Sequence, residues 1–151
     1  MLTNHYSTLL ILHSILRWFV LLAGLAAVIG CLIGILHKLC FKPVGRVLGL
    51  IYVSLLDTQI LVGILLSIAS PLVRVLWSNP AIGMKSHDLR YFAVEHTTIM
   101  VLALALAHIG AVRSRRASVA VKAYSTAAVW YAASLVVILV GIPWWRPLLK
   151  L

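Results

Sequence analysis

Charge is what this sequence has least of. Only 11% of its 151 residues are charged, and three are acidic: Asp57, Asp88 and Glu95. A soluble domain is about a quarter charged and about half apolar, whereas hydrophobic residues here reach 63%. One core of this size cannot enclose so much apolar side chain, which excludes a water-soluble globule. A disordered chain needs the opposite bias and is excluded too. Cysteine is also scarce. Cys31 and Cys40 form no CxxC pair, so neither a zinc site nor a redox motif is supported. There is no internal repeat and no low-complexity tract. Nor is there a nucleotide-binding loop or a nucleophile–base motif, so a stand-alone enzyme is not expected.

What is present is apolar length. A membrane helix needs about 20 mostly apolar residues, and four stretches qualify: 6–36, 47–70, 91–112 and 125–142. The expected fold class is therefore all-α, a four-helix transmembrane bundle in a single domain over 1–151. The N-terminal tail has no Lys or Arg and the run after it is too long for a cleaved signal peptide. The segment PLVRVLW reads as a short amphipathic turn on the membrane surface. Trp144 and Trp145 suit the headgroup level.

The bases, 13 Lys+Arg giving a formal net charge of +10, mostly flank the apolar runs. That placement points to topology and anionic headgroups, not nucleic acid. Lys38, Lys42 and Arg46 lie in the first connection; Arg113, Arg115, Arg116 and Lys122 lie in the third. The other side carries Arg74, Lys85, Arg90, Arg146 and Lys150, less tightly placed at helix ends. The positive-inside rule then puts both termini outside.

Inside the spans lie His13, Arg17, Asp57, Gln59, Glu95, His96 and His108. A charged group at the bilayer centre costs roughly 2.5–3.5 kcal/mol or more, so these should face the bundle interior and find one another. Depth selects a pair. His13 lies about 9 Å below one end of the first span and His96 about 8 Å below the same end of the third, at 1.5 Å per residue. Two imidazoles at one depth on two helices are what a bis-histidine haem requires. Arg17, four residues from His13, shares its face and could meet a haem propionate or an acid. Glu95 points about 100° away from His96. A second stacked haem is not expected: His108 is about 120° off the face of His96, and His37 about 240° off that of His13. His5, His37 and His87 read as surface residues, Met100 as core packing. Gly24, Gly30, Gly34 and Gly63 read as points of close helix approach. Two other readings stay open. His13, Arg17, Asp57, Gln59, Glu95 and His96 could close a structural network with no cofactor, or the site could handle a metal, a quinone or protons. No HxxxH or ExxH pair supports a separate metal site.

At these residues the chain resembles a family of small four-span membrane proteins of Bacteroidetes-type bacteria, often labelled "cytochrome B". The likeness lies in HSILRW at His13 to Trp18, LLDTQILVGILL at Leu55 to Leu66 and SPLV at Ser70 to Val73. It continues in RYFAVEHTTIM at Arg90 to Met100 and GIPWWRP at Gly141 to Pro147. It spans nearly the whole chain. The resemblance implies a helical membrane fold and haem binding, with His13, Arg17, Asp57, Gln59, Glu95 and His96 as the carried positions. His108 fits the pattern poorly, and GIPWWRP departs from a more usual GIPWP-type ending.

The expectation is a b-type cytochrome-like protein, a haem b carrier with axial His13 and His96 that moves electrons within a larger membrane complex. Its partners would be the lipid bilayer, other membrane subunits or further copies of itself, and a redox protein. The rivals are a cofactor-free accessory subunit and a quinone- or proton-handling protein.

Overall fold

The computed structural model describes residues 6–41 and 43–146. His5, Lys42, Pro147 and Lys150, named above, lie outside them. Among the described residues seven α-helices follow one another: α1 Tyr6–Leu36, α2 Val44–Ala69, α3 Pro71–Ser78, α4 Pro80–Gly83, α5 His87–Arg90, α6 His96–Arg116 and α7 Ala120–Val140. A widened π-turn, Tyr91–Glu95, joins α5 to α6. No strand occurs among the described residues.

Local chemistry sets the breaks. Lys38 adopts a left-handed backbone, φ 52°, and the Leu39 amide bonds back to the Gly34 carbonyl at 3.0 Å, closing α1. The proline at 71 holds Ser70 extended and stops α2. The Ser70 hydroxyl then caps α3 by accepting from the Val73 amide, with Pro71 in the first turn. This short helix is the expected PLVRVLW segment.

Three spans differ at their ends from the sequence reading. α2 begins at Val44, three residues early; the third span extends from His87 to Arg116; α7 begins at Ala120. Most of the third basic connection is helix, 113–116 and 120–124, whereas in the first only 44–46 are helical among the described residues. Long Arg and Lys side chains reach water from a helix that continues past the hydrocarbon, so helix ends and apolar ends need not coincide.

α1, α2, α6 and α7 are long and apolar enough to cross a membrane. Around the bundle α1 packs between α2 and α7, and α6 packs against the same two, leaving α1 and α6 at opposite corners. The outward face is apolar: Phe19, Leu22, Leu61, Val129 and Val140 are all exposed. Such a belt requires lipid, and the chain is a multi-pass membrane protein. The start of α1, the end of α2, the start of α6 and the end of α7 share one end, here the histidine end. The basic end carries the α1–α2 and α6–α7 connections.

Inside, buried tyrosines fill notches left by small residues. A Cβ on Gly34 would collide with the Tyr124 ring. Tyr124 also donates to the Cys40 carbonyl at 3.0 Å and meets Phe41 edge-on. In mid-bundle the Ser134 hydroxyl donates to the Ala103 carbonyl at 2.7 Å. Its one proton is thus used, so Tyr52, 2.8 Å away, must donate to it.

Candidate functional site

His13 and His96 meet across the diagonal of the bundle. Their ring centres are 6.3 Å apart and their planes 71° apart. Each ring is placed by a different device.

His96 is set by α7. Its Nδ1 lies 2.8 Å from the Gly141 carbonyl. A carbonyl only accepts, so Nδ1 carries the proton and Nε2 is the ring nitrogen left with a free lone pair. Gly141 ends α7, where the last carbonyls lack helical partners. The Tyr91 hydroxyl donates to the same carbonyl at 2.8 Å. Two residues five apart reach one acceptor because of the π-turn. Its bond from the His96 amide to the Tyr91 carbonyl brings positions i and i+5 together; on a regular α-helix they would stand about 140° apart. The rings of Tyr91 and Phe92 lie 6.0 and 6.5 Å from that of His96.

His13 is set by α2. The edge bearing Cε1 and Nδ1 lies over Gly63, where a Cβ would approach Cε1 to 3.2 Å. So Gly63 makes room for an imidazole, a more specific task than close helix approach. One turn away, buried Gln59 donates from Nε2 to the His13 carbonyl at 3.0 Å. Among the described residues the buried side-chain polar atoms without a partner are His13 Nδ1 and Gln59 Oε1. These two atoms do not bond each other; the acceptor that faces the His13 ring is the Gln59 backbone carbonyl. A proton on Nδ1 turned toward it would leave His13, like His96, a free Nε2 lone pair.

Arg17 is half-buried one turn from His13, its guanidinium 5.7 Å from the Trp18 ring centre, and its charge acts on both imidazoles. The acids expected to meet it are engaged elsewhere. Glu95 accepts from Arg90 Nε at 2.5 Å, beside an Arg90 bond to the Met84 carbonyl. Asp57 pairs with His108 at 2.8 Å. The six polar residues therefore do not form one closed network. Gln59, His13, His96 and Arg17 gather at the histidine end. Glu95 anchors the loop above them, and Asp57 turns toward the α2–α6 face. Helix rotation decides this: Asp57 and Gln59 are two positions apart, about 200° of helix, so they face opposite ways.

The loop and tail cover this end. Trp145 packs on Tyr91 and His87, with ring centres 4.6 and 5.3 Å away. Arg146 pairs with Asp88 and lies 5.2 Å from the Phe92 ring centre. The Trp144 indole donates to the Leu139 carbonyl. Gly141, Tyr91 and the His108 pairing are not among the sequence expectations, which hold Gly63 only as a point of close helix approach. Only the His108 pairing had a visible signal, since Asp57 and His108 both lie deep in their spans.

No family model, curated protein or solved structure matches the chain.

Proposed function

We propose that this chain is a small b-type cytochrome-like electron carrier, in which His13 and His96 would hold one haem b. The observation that carries the reading is the separation of the two rings. The ring centres lie 6.3 Å apart on helices at opposite corners of the bundle, near enough for both imidazoles to hold one iron between them. The donor set fits as well: the Gly141 carbonyl fixes the His96 tautomer, leaving Nε2, and the Gln59 backbone carbonyl faces the His13 ring as an acceptor. When bound, haem would supply one-electron redox chemistry. The chain's own work is to orient two imidazoles, to exclude water with Tyr91, Phe92 and the tail, and to provide Arg17 as counter-charge for a propionate.

In this reading the protein is not an enzyme. It lies in a bacterial inner membrane with both termini outside, as the bases at the opposite end favour. The partners would be other membrane subunits or a second copy, and a redox protein. Haem quantification by the pyridine haemochrome method on purified protein tests the reading. One b-type haem per chain is expected. A haem-free preparation from haem-replete cells would instead favour a cofactor-free accessory subunit, in which the edge-on contact of the two rings serves packing alone.

A further inference from the structure

A second polar assembly lies away from the histidine pair. His108 Nε2 and Asp57 Oδ1 are 2.8 Å apart, yet the side chains remain 48% and 43% exposed. Asp57 stands near the middle of α2. A half-exposed carboxylate facing hydrocarbon is too costly to persist, so something polar must cover it. The pair forms the deep end of a cleft of about 250 Å³ between α2 and α6, backed by α7. On α2 the cleft follows positions 46, 49, 50, 53, 54 and 57, a single helical face about 16 Å long. Arg46 and Arg115 line its mouth at the basic end; Ser54, Ser114 and the Tyr131 ring lie between.

We propose that the Asp57–His108 pair is a proton-binding site in the middle of the membrane, reached by water through the α2–α6 cleft from the basic end of the bundle. The charged and titratable groups around it are Arg46 on α2, Arg115 on α6 and Tyr131 on α7, with Cys31 of α1 acting on Tyr131. Polar lining at both ends decides between occupants. A quinone head at the pair would drag its apolar tail past two arginines. An anionic lipid head at the arginines would lay its tail against the carboxylate. Water satisfies both ends, and the volume holds several molecules at about 30 Å³ each. The pair can then carry one exchangeable proton, held between the His108 Nε2 and the Asp57 carboxylate and passed to and from cleft water. This site does not depend on the haem.

The test uses full-length Cys40→Ser protein in lipid nanodiscs, where both faces meet solvent. Ser54→Cys places a thiol on the cleft wall. Ile51→Cys places one on the lipid-facing side, one turn nearer the basic end, at an exposed residue outside the cleft. A thiol reacts as the thiolate, which needs water, so a charged, lipid-insoluble methanethiosulfonate should label Ser54→Cys about tenfold faster or more, despite its greater depth. Equal or slower labelling would overturn the proposal and leave the cleft to lipid or a quinone. A second readout is the His108 ring resonances, assigned by their loss in His108→Gln. They should move between neutral and protonated positions as bulk pH is stepped. Resonances fixed across the range would also overturn it.

Discussion

The His96 imidazole donates to the Gly141 carbonyl across 2.8 Å, joining the start of α6 to the end of α7. That carbonyl is an unspent acceptor because the helix stops there, and the π-turn brings Tyr91 to it as well. A helix terminus and a helix irregularity thus cooperate to fix one ring in one tautomer.

Tyr91→Phe should remove one of the two donors while keeping the ring that packs on Trp145. The expected loss is about 1 kcal/mol in unfolding from detergent, the usual net worth of one hydrogen bond. No measurable loss would mean that His96 alone satisfies the carbonyl.

In mid-bundle the donor order gives an asymmetric expectation. Tyr52→Phe removes a donor, but Ser134 still bonds the Ala103 carbonyl, and the cost should be about 1 kcal/mol. Ser134→Ala strands both the buried Tyr52 hydroxyl and that carbonyl, and should cost about 2 kcal/mol or more. The two variants compared in one unfolding assay check the order; the reverse ranking would refute the chain of donors described.

Two glycine substitutions should behave differently. Gly34→Ala drives a methyl into the Tyr124 ring, remote from the histidines, and should cost about 1–3 kcal/mol of stability. Gly63→Ala presses on His13 at 3.2 Å, a contact that a small ring movement relieves. It should cost less stability and disturb the haem spectrum more. Thermal melts and absorption spectra of the pair separate the two effects.

For orientation, single cysteines at Ser78, at the end of α3, and at Ser118, between α6 and α7, stand at opposite ends of the bundle, and both positions are exposed. In intact cells, an impermeant reagent should label the first and spare the second. The reverse pattern would invert the assigned topology.

Much of this architecture is written in the order of residues. Four apolar runs, with bases at alternate connections, specify four spans, and counting residues from the span ends brings His13 level with His96. Depth is one-dimensional, however, and rotation about each helix is not read from it. That is why Asp57 and Glu95 were expected beside Arg17, whereas α2 turns Asp57 to His108, and the π-turn sets Glu95 against Arg90. The π-turn itself leaves no mark in YFAVE, whose residues suit an ordinary helix; packing of Tyr91 and His96 on one carbonyl selects it. Gly141, read only as part of an ending, orients the His96 ring through its backbone carbonyl, which no side-chain pattern reveals.

The most direct test of the central claim is the absorption spectrum of the purified, full-length protein beside three variants. The account predicts a low-spin b-type spectrum, lost in His13→Ala and in His96→Ala and intact in His108→Ala, whose imidazole belongs to the other assembly. A colourless wild type, or a spectrum that survives both His13→Ala and His96→Ala, would contradict it.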